Sequence, residues 1–138
     1  AYGLEFYINA SRKPVIRKGD GTGRFSADVR AAASAETVPV DVWTHIAFVL
    51  PSATNTTWQI YINGVASTIT TGGSGGAVGY SSIYYGGIGR FRFSYFQGQI
   101  DQVSIFDYEL SQDQVAQLHN PGYAFNFIPA TLVSTSLL

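Results

Sequence analysis

Two short apolar runs joined by Asn63 and Gly64 constrain the fold more than any other feature of the sequence. In residues 57–63, Trp58, Ile60 and Ile62 occupy every second position, and a second run over residues 65–70 follows at once. Alternation of this kind is the period of a β-strand with one buried face. Asn-Gly between two such runs is typical of a two-residue hairpin turn, because both residues tolerate a positive φ. The pattern therefore predicts an antiparallel β-hairpin.

The same alternation recurs along most of the chain. It is present in four further segments, namely residues 3–9, 24–29, 43–50 and 100–106. Glycine-rich stretches separate several of them, and Asp20-Gly21 repeats the hairpin signal. Many short strands with glycine-rich turns are typical of packed antiparallel sheets. The expected fold class is all-β, an antiparallel two-sheet jelly-roll sandwich.

One segment breaks this pattern and predicts a short helix after the run at residues 100–106. Ser111 lies three residues before Gln114, the spacing of a capping box. Asp113 suits the first turn of a helix, and Val115 and Leu118 share an apolar face with Leu110. We expect a core strand, a tight turn and a helix that closes an opening in the sandwich.

Composition excludes several classes of function. The chain of 138 residues is of single-domain size, and its 46% hydrophobic content is enough for one core. It contains no cysteine, which excludes disulfides and thiol nucleophiles, and its net charge of −1 argues against nucleic acid as a partner. No apolar run reaches the roughly 18 residues of a membrane span. These properties describe a globular domain that binds neither nucleic acid nor a membrane interior.

Four stretches in fixed order resemble the laminin-G-like branch of the concanavalin A-like lectin/glucanase superfamily. They are WTHIAFVL, TWQIYINGV, GGIGR and FQGQIDQVSIFDYELSQDQVAQL, and the resemblance covers about residues 3–119. It implies two packed antiparallel sheets, with ligand sites and often calcium sites at a rim or on a concave face. The domain is then expected over residues 1–122, which start too late to contain the first strands of the family. The apolar tail, residues 123–138, is expected to supply an edge strand to its own domain or to a neighbour.

Enzymatic activity is not expected. A glucanase on this scaffold needs two carboxylates on one strand, a few ångströms apart across the glycosidic bond. Asp107 and Glu109 have the spacing, but they fall at a strand end and in a turn. The stretch at residues 72–76 matches G-x-S-x-G without the following helix that a nucleophile elbow requires. His45 and His119 are interpreted as structural residues.

Calcium is the cofactor to consider. Calcium sites collect carboxylate, carbonyl and amide oxygens from loops. Asp20 lies in a glycine-rich loop, Asp101 lies at the start of a run, and Asn63 could add an amide oxygen. The alternative is that Asp20 and Asn63 form turns while Asp101 bonds to loop backbone, and this alternative is preferred.

An aromatic surface is the candidate ligand site. The chain has 9 Tyr, 9 Phe and 2 Trp residues, and such rings can stack on sugars. Phe91, Phe93 and Tyr95 share one strand face and are expected to fill the core. The expected surface residues, chosen from the remaining positions, are Tyr61, Tyr84, Tyr85, Arg90 and Arg92.

The sequence leaves two functions open. The first is a recognition module that binds a glycan or another cell-surface ligand as part of a larger extracellular or virion protein. The alternative is a structural subunit or decoration domain of a capsid, tail or filament, which would form a homo-oligomer or larger assembly. The location of the apolar tail distinguishes them, because a soluble monomer should not leave such a segment exposed.

Overall fold

The fold was obtained as a computed structural model, and the structure describes residues 4–18, 29–33, 36–51, 57–72, 87–91 and 94–120. Within these ranges it contains short strands followed by one helix. The strands are β1 (Leu4–Ile8), β2 (Pro14–Lys18), β3 (Val29–Ala33), β4 (Ile46–Val49), β5 (Gln59–Ile62), β6 (Val65–Ala66), β7 (Ile69–Gly72), β8 (Arg90–Phe91) and β9 (Ser94–Tyr95). The helix is α1 (Gln112–His119).

The strands form antiparallel sheets, which confirms the predicted fold class. The first sheet has the order β1-β2-β3-β7, and the second has the order β4-β5-β6. Strands β8 and β9 pair as a separate hairpin. Every pairing is antiparallel, with Phe6 opposite Ile16 in the first sheet and Phe48 opposite Ile60 in the second.

A hydrophobic layer between the two sheets holds them together. Ile16 of β2 packs with Trp58 and Ile60 from the second sheet, and all three are buried. The rings of Phe6 and Phe48 add a second contact between the sheets, with centroids 4.8 Å apart. The alternation of β5 predicted this inner face correctly, because Trp58 and Ile60 lie on the same side of the strand.

A second layer lies on the opposite face of the second sheet, where α1 packs. Val115 of the helix is fully buried against Val49 and Tyr61. Strand β5 is therefore covered on both faces. A period of two cannot reveal this arrangement, because the pattern assumes that one face of the strand meets water.

The Asn63-Gly64 hairpin is confirmed. Both residues have positive φ, 51° for Asn63 and 76° for Gly64, as a type I′ turn requires. The strand predicted over residues 65–70, however, is divided. β6 ends at Ala66, and the chain then crosses to the first sheet, where β7 pairs with β3.

Other strand predictions are corrected by the structure. Strand β2 was not predicted, because Pro14 and two charged residues interrupt its apolar pattern. Of the run at 24–29, Val29 opens β3 and the rest lies outside the described residues, as do Asp20-Gly21 and the tail at 123–138.

No strand forms over residues 100–106, where Gln102 has a φ of 52°. An alternating run becomes a strand only when a neighbour accepts its backbone hydrogen bonds, and the described residues provide none here.

Helix α1 has the predicted capping box. The Ser111 side chain accepts a hydrogen bond from the Gln114 backbone N–H, and the Gln114 side chain accepts one from the Ser111 N–H. Asp113 lies in the first turn and His119 in the last, where each charge suits the helix dipole. Asn120 is the C-cap.

We expect Ser111→Ala to lower the free energy of unfolding by about 1 kcal/mol, because it leaves a helical N–H without its acceptor. Urea denaturation of the variant and the parent measures the difference. Ser104→Ala, at an exposed position outside any helix or strand, is the control and should change stability by less than roughly 0.5 kcal/mol. Equal effects of the two substitutions would contradict a capping role for Ser111.

Candidate functional site

The candidate binding surface is formed by Arg90, Tyr95 and Phe96, and we call it the arginine–aromatic surface. It is carried by the β8–β9 hairpin, in which Arg90 is directly opposite Tyr95. The Phe96 backbone N–H donates a 2.8 Å hydrogen bond to the carbonyl oxygen of Gly89. Gly89 has a φ of 74°, which a residue with a side chain rarely adopts. The backbone of the hairpin therefore fixes the positions of all three side chains.

The three side chains offer flat apolar faces beside a cation. The guanidinium carbon of Arg90 lies 5.7 Å from the centroid of the Tyr95 ring, within the range of a cation–π contact. Tyr95 is 63% exposed, and Arg90 and Phe96 are also exposed. The Phe96 ring lies against Gly98, where an added Cβ would be only 2.8 Å from a ring carbon. Gly98 thus leaves the space that this ring orientation needs.

This arrangement suits a ligand that has both apolar and hydroxyl faces. An aromatic ring packs against C–H surfaces, and the guanidinium group of arginine presents several N–H donors in one plane. The tyrosine hydroxyl can both donate and accept. A pyranose ring presents such a combination of C–H faces and hydroxyl groups.

Of the predicted ligand residues, only Arg90 is found at this surface. Tyr84, Tyr85 and Arg92 lie outside the described residues. Tyr61 is 2% exposed, so the prediction of an outward Tyr61 is wrong, because helix α1 covers that face of β5. Burial, and then the charge of Glu109, raise its pKa, and its hydroxyl donates a hydrogen bond to Gln59 Oε1.

Tyr95 and Phe96 are the functional candidates that sequence reasoning missed. Tyr95 was expected in the core with Phe91 and Phe93, but β9 is only two residues long and its ring is exposed. A strand pattern read over residues 90–95 overlooks that β8 and β9 are two strands that pair with each other. The signal that could have identified the surface is Gly89, which directly precedes Arg90, has a positive φ and accepts the Phe96 backbone N–H.

A second arginine–tyrosine contact lies on the first sheet and is less accessible. The Arg17 guanidinium carbon is 5.8 Å from the ring centroid of Tyr7. Arg17 Nε donates a 2.8 Å hydrogen bond to Glu5, and its Nη2 makes a salt bridge to the same carboxylate. The Arg17 and Glu5 side chains are less than one fifth exposed. These residues pair across strands and stabilise the sheet.

The proposed calcium ligands are not brought together by the described residues. Asp20 lies outside them. The side-chain oxygen of Asn63 accepts the His45 backbone N–H at 3.0 Å, and Asp101 Oδ1 accepts the backbone N–H of Gln102 at 2.7 Å. Within the described part of the chain, no three His, Cys, Asp or Glu residues group as a metal site. The turn roles of Asn63 and Asp101 are observed, and calcium binding stays a prediction.

Other features of the surface are poorer candidates. Asp107 and Glu109 are exposed and lie outside any strand. An open depression of about 300 Å³ on α1 is lined by Asp113, Ala116, Gln117 and Asn120. It contains no aromatic ring and therefore no stacking face.

The two histidines lie together, which the sequence did not indicate. The ring centroids of His45 and His119 are 5.7 Å apart. Burial, and then the charge of His119, lower the pKa of His45. Their contact depends on the packing of α1 beside the β5–β6 hairpin, and no local pattern in the sequence predicts that packing.

Comparisons with known proteins address the fold. A laminin-G model described as the concanavalin A-like lectin/glucanases superfamily matches residues 1–116. No curated protein matches the sequence closely enough to be counted as a relative. A solved structure of an S-layer domain-containing protein from Clostridium thermocellum is similar at 20% sequence identity, with a TM-score of 0.48. That match covers 87% of this chain and 64% of the other.

Among the described residues, no helix has the length and apolar character needed to cross a membrane.

Proposed function

The chain belongs to the concanavalin A-like lectin/glucanases superfamily, and we propose that it is a non-enzymatic recognition module that binds a glycan. The binding residues in this proposal are Arg90, Tyr95 and Phe96. The module would form part of a larger extracellular or cell-surface protein, which is a common setting for laminin-G-like domains.

The exposed Tyr95 ring beside Arg90 is the observation that carries the proposal. The Tyr95 ring is 63% exposed, so a ligand that covers it buries apolar area and gains hydrophobic free energy. The arginine beside it supplies directional donors, which distinguish a hydroxylated ligand from a purely apolar one. The superfamily often binds ligands, and the same fold hosts many different sites, so the argument for a glycan rests on these side chains.

Catalysis is not part of the proposal. Laminin-G-like domains are generally non-enzymatic. A retaining or inverting glycosidase holds two carboxyl groups across the bond that it breaks. The exposed carboxylates Asp107 and Glu109 lie outside the strands that would place them in this way.

An array of immobilised oligosaccharides tests the proposal. We expect the chain to bind a subset of the glycans and Tyr95→Ala to weaken that binding roughly tenfold, equivalent to about 1.4 kcal/mol. Tyr108→Ala is the matched control, because Tyr108 is similarly exposed and its ring lies edge-on to Phe106 instead of beside an arginine. Arg90→Lys keeps the charge but loses the planar set of donors, and should also weaken binding. Binding that is unchanged by Tyr95→Ala, or the absence of binding to any glycan, would refute the proposal.

Assembly into a larger structure is the second candidate function. It is favoured by the exposed apolar side chains of residues 100–108, of which Ile105 is 93% exposed. Such side chains are usually covered in a functional assembly. Sedimentation of the chain at increasing concentration distinguishes the two, since a recognition module remains monomeric while it binds the array.

A further inference from the structure

Both histidines of the chain meet at one junction. The sequence contains two histidines. His45 directly precedes β4, and His119 lies in the last turn of α1. Their rings are 5.7 Å apart with an angle of 30° between the planes. We call these two residues the histidine pair. Both imidazole rings therefore lie where the helix meets the second sheet.

The hairpin turn packs tightly against the same junction. Asn63 Oδ1 accepts the backbone N–H of His45 at 3.0 Å. A Cβ added at Gly64 would be 3.0 Å from Ala116 Cα and 3.3 Å from His119 Cβ. The end of the helix, the turn and the start of β4 are therefore in direct contact, and His119 is exposed on its outer side.

Protonation of His45 is unfavourable in this packing. Its Nδ1 atom is buried and makes no hydrogen bond within the described part of the chain. A neutral imidazole can leave this nitrogen unprotonated, whereas the charged ring carries a proton on both nitrogens and needs two acceptors. Protonation of Nδ1 would leave a buried N–H without an acceptor, which disfavours the charged ring.

One of the groups that face His45 also disfavours its protonation, and the others carry no charge. From α1 the facing titratable group is His119, in the last turn of the helix. The hairpin turn contributes Asn63 and Gly64, which carry no charge. Asp113 lies in the first turn, at the other end of the helix. Burial is the larger cause of the lowered pKa of His45, and the charge of His119 is the second.

We propose that the histidine pair is an acid-sensitive lock, which holds α1 against the second sheet at neutral pH and releases it when His45 becomes charged. Release of the helix uncovers the apolar layer of Val49, Tyr61 and Val115. The module would then change its exposed surface in a mildly acidic compartment. This inference does not depend on the identity of any ligand.

The direction of the pH effect follows from the direction of the pKa shift. An unfolded histidine titrates near pH 6.5, and the folded pKa of His45 is lower. Below about pH 6.5 the unfolded chain therefore binds more protons than the folded one, and stability falls as the pH falls. The contribution of neutral His45 is complete above the unfolded pKa and is lost progressively toward the folded pKa.

Thermal unfolding at pH 7.0 and pH 5.5 tests the lock, because histidine is the side chain that ordinarily titrates between these values. We expect the melting temperature of the parent chain to be measurably lower at pH 5.5 than at pH 7.0. The double variant H45Q/H119Q should lose most of this pH dependence. His119→Gln alone should retain part of it, since burial of His45 remains. An equal fall in the double variant would overturn the proposal.

Two measurements on the unaltered chain keep the test independent of variant folding. In an NMR titration the His45 ring signals should titrate at lower pH than those of a histidine in a short peptide. Hydrogen exchange, corrected for the intrinsic effect of pH, should be faster in residues 115–119 at pH 5.5 than at pH 7.0, while β2 stays protected. A normal His45 titration, or unchanged protection of α1, would show that the pair has no locking role.

Discussion

Replacing Trp58 with alanine is expected to lower the free energy of unfolding by about 3–5 kcal/mol, the range measured for large aromatic residues in protein cores. Trp58 is 2% exposed and packs with Ile16 and Ile60 between the sheets. Its ring also faces the ammonium group of Lys18, at 5.9 Å from the ring centroid. Lys18 is itself 1% exposed, so the substitution removes both packing and a favourable contact of a buried cation.

The other tryptophan provides a matched control. Trp43 is 67% exposed, and Trp43→Ala should therefore cost less than about 1 kcal/mol. Urea denaturation followed by far-UV circular dichroism measures both variants without depending on tryptophan fluorescence. If the two substitutions have the same cost, the layer around Trp58 is not the main core. If Trp58→Ala fails to fold at all, Trp58→Phe provides a smaller truncation at the same site.

The features that were predicted correctly are those determined by adjacent residues. The Asn63-Gly64 turn depends on two backbone angles, and the capping box depends on Ser111 and Gln114. Their chemistry is complete within four or five residues. The inner position of Trp58 and Ile60 also follows locally, since the alternation of β5 places them on the same face.

The features that were predicted incorrectly depend on which elements become neighbours. Tyr61 occupies an outward position of β5 and would be exposed if α1 packed elsewhere. The run at residues 100–106 has the alternation of a strand, yet Val103 and Ile105 are exposed in the structure. Alternation reports which side chains share a face, and tertiary pairing decides whether a strand forms and what covers it.

The candidate site also contains one residue that was predicted correctly and one that was predicted incorrectly. Arg90 was predicted as a surface residue because the aromatic residues on the other strand face were expected to fill the core. Its partner Tyr95 was assigned to the core because it alternates with Phe91 and Phe93. The antiparallel pairing of β8 and β9 instead places it opposite Arg90. The histidine pair joins positions 45 and 119, and no spacing rule relates residues that are so distant in the chain.

Gly64→Ala is expected to lower the free energy of unfolding by roughly 2–4 kcal/mol, for two separable reasons. The φ of 76° at this position is unfavourable for any residue that has a Cβ. The added Cβ would also lie 3.0 Å from the Ala116 Cα, a backbone atom that can move only if the helix moves. The substitution should therefore displace α1 as well as strain the turn.

Two further variants separate these causes. Gly87→Ala is the control, because its nearest contact would be the Arg90 carbonyl oxygen at an ordinary 3.8 Å, and little change is expected. Gly64→Asn keeps the same Cβ contact but tolerates a positive φ better than alanine, so it should recover part of the loss.

Urea denaturation measures stability, and hydrogen exchange of residues 115–119 at pH 7.0 measures docking of the helix. If Gly64→Ala destabilises the domain without faster exchange in α1, strain in the turn accounts for the loss. Faster exchange instead shows that the close approach of the hairpin to Ala116 and His119 contributes to docking of the helix, together with the histidine pair.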